Sequence, residues 1–395
     1  MNDSVSRPDR LARHLGAVPR SGIRDFFEIV STRQDVISLG IGEPDFVTPW
    51  HIREGAVYAL NRGATSYTSN LGMLALREEI SRYVERFYGV TYDPRTEILI
   101  TVGVSEGLDL AVRAVLDPGD EVLYHEPCYV SYGPVVTFAH GVPVAVPTSA
   151  ANGFRLTREA LEARVTDRTK VLMVNFPTNP TGAVLDAESA RELAAFVRER
   201  DLLLVTDEIY AELTYEGQPV SPLSEPGMKD RTLLLSGFSK AWAMTGFRIG
   251  FACGPAPLID AMMKIHQYTM LCAPVLAQEA AIEALRNGDD DVAEMRDAYR
   301  MRRNYIHAAL NDAGLPCERP GGAFYIFPRI EATGLTAHDF AMQLLEEENV
   351  ACVPGTAFGA CGQGFVRCSY ATGMESLKEA GDRIARFVKR TCGSA

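Results

Sequence analysis

The chain has 395 residues and a formal net charge of −12, with 47% hydrophobic and 23% charged residues. This is the balance of an ordinary globular protein with room for one large core or for two domains of unequal size. Its acidic residues are scattered and no basic face accumulates, which argues against nucleic-acid and anionic-membrane partners.

The opening stretch MNDSVSRPDRLARHLG has charges but no apolar centre, so it does not read as a secretory signal. From about Pro44 to Gly288, short apolar runs alternate with helical patterns. Strands are expected at Ile98–Val102, Glu121–His125, Pro143–Val146, Val171–Asn175, Leu202–Thr206, Thr232–Ser236 and Gly250–Cys253. Helices are expected between them, as at Gly72–Phe87, Glu106–Leu116 and Ala187–Arg200. Such alternation implies an α/β fold, a mainly parallel sheet covered by helices, with its site at the carboxyl ends of the strands. Asp289–Ala313 reads as one long charged helix and a boundary. Beyond it, strands at Ala323–Phe327, Val350–Val353 and Phe365–Tyr370 and helices at Ala337–Glu348 and Met374–Arg390 suggest a smaller α+β domain. The expected division is therefore 44–288 as a large domain, and 1–43 with 289–395 as a small one. No apolar run approaches a membrane span. The eight cysteines form no CxxC pair, so no metal site is expected and free thiols in a reducing cytoplasm are the simplest reading.

Three features carry chemistry. The first is Gly103-Val-Ser-Glu-Gly107, a G-x-S-x-G between an expected strand and helix. That is the context of a hydrolase nucleophile elbow, but no histidine lies in a matching loop. The turn can equally be a plain one with Ser105 as N-cap. A third reading is a phosphate cup, in which the amides of Val104, Ser105 and Glu106 and the Ser105 hydroxyl face an anion. Gly40-Ile-Gly42 lacks the third glycine of a dinucleotide fingerprint, and no Gly-Lys pair exists for a P-loop.

The second feature is SGFSKAWAMTGFRIG, which sets Lys240 just beyond a buried strand and Arg248 eight residues later. A lone lysine is usually a solvated surface charge. This one emerges where the site should be, among small and apolar neighbours that lower an ammonium pKa, as Schiff-base chemistry requires. Ser239 precedes it, and Arg248 could balance a phosphate. The third feature is a pair of loops, NFPTNPTG with Asn179 and DEIY with Asp207 and Tyr210. Alone, each is an N-cap or a core residue. Together they suit one flat aromatic cofactor: Asp207 toward a pyridinium nitrogen, Tyr210 and Asn179 toward a phenolic oxygen, Tyr129 of PCY stacked on the ring.

GVSEG, PCY, NFPTNPTG, DEIY, SGFSKAWAMTGFRIG and FVRCSYA stand in the order and rough spacing of class I/II pyridoxal-phosphate aminotransferases, and the chain resembles that family over nearly its whole length. The resemblance implies fold type I, pyridoxal 5′-phosphate, a homodimer and ping-pong amino transfer. It makes Lys240 the Schiff-base lysine and GVSEG the phosphate cup, so that Ser105 is not a nucleophile. It also implies that Arg367 grips the substrate α-carboxylate, that Tyr67 reaches the phosphate of the neighbouring subunit, and that the backbone at Ile41 and Gly42 lines the substrate side. One departure stands out: many relatives have a hydroxyl residue where this chain has Gly237, leaving Ser236 or Ser239 to substitute.

Some aspartate-directed relatives place a lysine where Ser105 stands, and residues 265–285 contain neither Lys nor Arg. SGIRDF, KIHQY and GGAFYIFP resemble the aromatic and N-acetyl-diaminopimelate subgroup. The expected donor is thus neutral, aromatic or long-chain, with 2-oxoglutarate as acceptor and a specificity wall near Ser105 and Tyr268–Cys272. His266 or Arg24 is expected to answer the distal carboxylate. An aspartate aminotransferase and a C–S β-lyase of the same fold are the alternatives. A non-catalytic regulator half would need a DNA-binding module, for which the N-terminal segment has no room.

Overall fold

The computed structural model describes residues 12–18, 33 and 35–393. Twelve strands in chain order are β1 (Ile37–Ser38), β2 (Ile98–Thr101), β3 (Glu121–Glu126), β4 (Val142–Pro147), β5 (Thr169–Asn175), β6 (Leu203–Asp207), β7 (Thr232–Gly237), β8 (Gly250–Cys253), β9 (Tyr325–Ile326), β10 (Val350–Ala351), β11 (Val353–Pro354) and β12 (Val366–Ser369). The helices used below are α1 (Trp50–Asn61), α2 (Leu74–Tyr88), α3 (Val104–Val115), α4 (Ala256–Thr269), α5 (Asp289–Asp312) and α6 (Met374–Gly393).

The central sheet has seven strands in the order β2-β8-β7-β6-β5-β3-β4. Five of them, from β7 to β4, run parallel. β8 is antiparallel to both its neighbours, a reversal that the alternation pattern does not reveal. Apolar runs such as Val171–Val174 and Leu233–Leu235 are fully buried because the sheet is covered on both faces. β6 ends at Asp207 and β7 at Gly237, so the loops holding Tyr210 and Lys240 leave adjacent strand ends.

A seam of glycines joins three backbones beside those ends. Gly250 pairs with Thr101 on one side and Gly237 on the other. A Cβ on Gly250 would lie 2.9 Å from both the Gly103 carbonyl carbon and the Val104 nitrogen. A Cβ on Gly237 would lie 2.9 Å from Gly250 Cα. The missing hydroxyl at position 237 thus has a steric cause: the β7–β8 contact leaves no room for a side chain.

The smaller sheet, β11-β12-β9, is antiparallel, and β1 pairs with β10 in parallel, which ties residues near 37 to the C-terminal part. One apolar cluster joins Leu39 to Met295, Tyr299, Phe324, Val350 and Phe387, and also includes Ile209, Tyr210 and Leu213. That core crosses the expected boundary at 288 and fixes the loop after β6 against β9. Among the described residues no helix is long and apolar enough to cross a membrane, and no group of three or more potential ligands could hold a metal.

Candidate active site

A cavity of about 390 Å³ opens at the ends of β5, β6 and β7, lined among others by Gly42, Val104, Ser105, Tyr129, Asn179, Asp207, Tyr210, Ser239, Lys240, Arg248 and Arg367. These residues come from segments far apart in sequence, and the strand order alone brings them together. Ile41 is 46% exposed and lies outside the wall, and Tyr67 is 82% exposed on the single chain.

At one end, α3 begins directly after the left-handed Gly103 (φ 77°). Gly103, not Ser105, is the N-cap, and no side chain caps the first turn, so the helix-terminal amides stay open to an anion. Glu106 turns back from the cavity: one carboxylate oxygen accepts the Val102 N–H and the other meets His266 Nδ1 at 2.6 Å. Arg248 stands opposite in the left-handed region (φ 51°), its Nη1 donating to the Thr245 carbonyl at 2.9 Å. A Cβ on Gly103 would come within 2.7 Å of Arg248 Nη2, so glycine is what lets guanidinium and helix terminus converge. The Ser236 hydroxyl donates to the Glu208 carbonyl at 3.4 Å, away from this cup, whereas Ser239 lines the cavity.

Lys240 Nζ donates to the Gly42 carbonyl at 2.6 Å. Burial pushes its pKa down to about 8; nearby Glu43 opposes this, and Arg367 and Arg248 add to it. Asp207, at the end of β6, is buried and its pKa is pushed up to about 6 by desolvation. Hydrogen bonds from the Tyr132 hydroxyl (2.9 Å) and the Ile209 amide (3.3 Å) partly restrain that rise. Asn175 knits this floor, donating to the Asp207 carbonyl at 2.7 Å and accepting the Asn179 N–H at 3.1 Å.

At the other end Arg367 is 2% exposed. It donates to Asn179 Oδ1 at 3.0 Å and to the Gly40 carbonyl, while its Nε has no partner. Its guanidinium sits 4.5 Å from the Tyr325 ring centroid and 4.8 Å from that of Phe358. No carboxylate pairs with it among the described residues, so a buried cation awaits an anion. The Tyr325 hydroxyl lies 2.9 Å from that of Tyr210.

Four of these residues, Tyr132, Asn175, Tyr325 and Glu43, were not singled out by the sequence reading. Asn175 and Tyr325 sit inside quoted stretches and were legible in principle; Tyr132 had no local signal. Two expectations need correction. Tyr268 is 87% exposed and Met270 51%, so this segment is surface rather than cavity wall in the single chain. His266 is fully buried against Glu106 and cannot answer a substrate carboxylate. Arg24 lies outside the described residues.

A cup of open amides with an arginine, a buried carboxylate at mid-cavity, a depressed lysine and an unpaired arginine together fit a phosphorylated pyridine aldehyde and an amino acid. The chain belongs to the aminotransferases of class I and II, whose family model matches residues 34–384, and members of that family depend on pyridoxal phosphate. It is similar to aromatic-amino-acid aminotransferase 2 of Thermococcus litoralis, with 44% identity over 96% of this chain and 98% of that one. The aspartate aminotransferase of Pyrococcus abyssi also matches at 44% identity, over 96% of this chain and 98% of its own. The crystal structure of the aromatic aminotransferase from Pyrococcus horikoshii superposes with a TM-score of 0.89 at 46% identity, covering 93% of this chain and 99% of the other. The protein is therefore an amino-acid aminotransferase of fold type I.

Proposed function

We propose that this aminotransferase takes the amino group from a neutral, aromatic or long-chain L-amino acid and delivers it to a 2-oxo acid such as 2-oxoglutarate, whose distal carboxylate, one methylene farther out than that of aspartate, would reach beyond the described lining. The observation that carries the reading is the buried, uncompensated Arg367, which selects an α-carboxylate beside Lys240. Bound in the cavity, pyridoxal phosphate supplies the electron sink that lets the Cα–H bond of an amino acid break. The α3 amides, Ser105, Ser239 and Arg248 hold its phosphate; Asp207 faces the ring nitrogen, Tyr129 the ring face, and Asn179 and Tyr210 the phenolic oxygen. Lys240 would hold the aldehyde carbon, and its amine, with a pKa of about 8, would be suited to accept and return a proton near neutrality. Arg367 and the Gly42 backbone orient the substrate so that its Cα–H points toward that amine.

Specificity then rests on the rest of the wall. Lys240, Arg248 and Arg367 are the only basic side chains lining the cavity among the described residues, and each is engaged elsewhere. A side-chain carboxylate buried there without a cation costs several kcal/mol, of that order. A phenyl or thioether gains about 1.5–3 kcal/mol from burial, on the order of 10- to 100-fold in kcat/KM. Phenylalanine, tyrosine or methionine is therefore expected to exceed aspartate by at least about tenfold in a donor panel with 2-oxoglutarate. Aspartate outranking every neutral donor would overturn the assignment and favour the aspartate reading.

A cytoplasmic homodimer completes the proposal, with Tyr67 reaching the phosphate of the neighbouring site. Its support is a set of large apolar side chains left exposed on the single chain, Tyr67, Tyr268 and Met270. The 65–72 loop, which carries Tyr67, is bound to the 271–278 segment through Asn70 to the Leu271 carbonyl (2.7 Å) and Gln278 to Thr68 (3.0 Å). All eight cysteines are free, as a reducing compartment keeps them. The protein should sediment from a cytosolic extract at twice the chain mass, and Tyr67→Phe should weaken cofactor retention. A monomer that binds cofactor fully would refute this arrangement.

A further inference from the structure

A second cavity, of about 300 Å³, shares no lining residue with the first. It lies between α2 and the start of α5 and reaches Glu212 and Trp242, each two residues beyond Tyr210 and Lys240 respectively. Its volume is at the lower end of the range for ligand cavities, the scale of one small molecule rather than a nucleotide.

Its polar groups leave a guanidinium and a buried carboxyl unanswered, and burial pushes that carboxyl's pKa up to about 7, so a cation reaching it would favour its charged form. Arg86 and Asp289 satisfy each other at 2.8 Å. The Tyr83 hydroxyl donates to one oxygen of the Glu212 carboxyl, but the second, Oε2, is buried with no partner. Glu212 is only 7% exposed, so bulk water does not serve that oxygen. Native structures rarely leave such an atom unpaired without a reason. Arg296, half-buried on α5, lines the same cavity and makes no hydrogen bond or ion pair among the described residues. The two groups make no ion pair with each other, so neither neutralises the other. Around them stand Phe87, Trp242 and Val292, an aromatic and apolar surround.

We propose that this cavity binds a free α-amino acid with an apolar side chain. The ammonium group meets Glu212, the carboxylate meets Arg296, and the side chain packs on Phe87 and Val292. A zwitterion answers one unpaired cation and one unpaired carboxylate at once, whereas an amine or an acid alone leaves one of them buried and unmatched. The cavity abuts the backbone that carries Lys240 and Tyr210, and α5 leads on into the C-terminal part, so the site is placed to let the amino-acid pool act on the enzyme that uses it.

The test uses holoenzyme reduced with borohydride, which stops amino exchange at the first site but leaves Arg367 open to a carboxylate, so the second site is identified as the binding component that Arg296→Met removes. The absorbance change on reduction reports separately whether Lys240 carries the cofactor, so failure of that reading is distinguishable. Calorimetric titration with L-phenylalanine should give a saturable component of one site per chain that is absent from Arg296→Met. Phenethylamine, which lacks the carboxylate, and 3-phenylpropionate, which lacks the ammonium, should each bind at least about tenfold more weakly. Arg296→Met should leave basal transamination unchanged, which shows that the variant is folded. Glu212→Gln keeps an acceptor for Tyr83 and should likewise weaken phenylalanine. No saturable binding, equal binding of the three compounds, or full affinity in both variants would overturn the proposal.

Discussion

Replacement of Lys240 by alanine is expected to give a folded protein that still takes up pyridoxal phosphate but holds none of it after borohydride treatment and denaturation. The parent protein should be yellow and should retain the cofactor covalently under the same treatment. The cup at the N-terminus of α3, Arg248 and Asp207 all remain in the variant, so noncovalent affinity survives. Two functions are lost together: the covalent anchor, and the amine whose pKa of about 8 suits it to move a proton at neutral pH. Loss of the proton transfer alone predicts a fall of about 10²- to 10⁴-fold in kcat. Lys240 is half-buried and its Nζ has one hydrogen bond, to the Gly42 carbonyl, so truncation should cost little stability. A reduced adduct of undiminished yield in Lys240→Ala would place the covalent chemistry elsewhere.

The second large effect belongs to Asp207. Its carboxylate is buried, yet only the Tyr132 hydroxyl and the Ile209 amide donate to it. Burial raises its pKa to about 6, which means that ionisation is disfavoured until a cation arrives. A protonated ring nitrogen would be such a cation, and beside it the carboxylate would be held ionised at neutral pH. Asp207→Asn preserves shape and the acceptor for Tyr132 but removes the charge that keeps the ring nitrogen protonated. We expect kcat to fall by about 10²- to 10³-fold, the scale of losing one buried electrostatic group, while cofactor occupancy changes little. Single-turnover amino transfer at the parent rate in Asp207→Asn would show that this carboxylate does not face the ring nitrogen.

Much of this arrangement was legible in the chain. Buried parallel strands announce themselves as apolar runs, and Thr232–Gly237 followed by a lysine needs no tertiary information to be noticed. What escaped depends on register. The reversal of β8 is invisible because an antiparallel strand buried on both faces has the same composition as a parallel one. The plain-turn reading, one of three open on that stretch, made Ser105 the cap because serine often is one. The backbone at Gly103 takes that position instead, since only there does the turn need a positive φ. His266 looked available because an isolated histidine carries no mark of its partner; Glu106, 160 residues earlier, consumes it. Tyr132 reaches Asp207 and Tyr325 reaches Tyr210 and Arg367 through hydrogen bonds and ring contacts made across the fold, which residues so distant in sequence do not announce.

The glycine seam has a consequence for how sequences of this shape can drift. Gly103, Gly237 and Gly250 are separated by more than a hundred residues of chain between the first and the last, yet Gly103 occupies space that a side chain at 250 would need, and Gly250 occupies space that one at 237 would need. A methyl group gained at Gly250 would meet the 103–104 turn, and one gained at Gly237 would meet Gly250 itself. Substitutions at these positions are therefore not independent events but moves in one coupled problem, where a change tolerated alone must be tolerated by all three backbones. The Gly237 found where relatives carry a hydroxyl is one state of that joint solution. Its acceptability was decided at Gly250, on a different strand, before any contact with cofactor came into play.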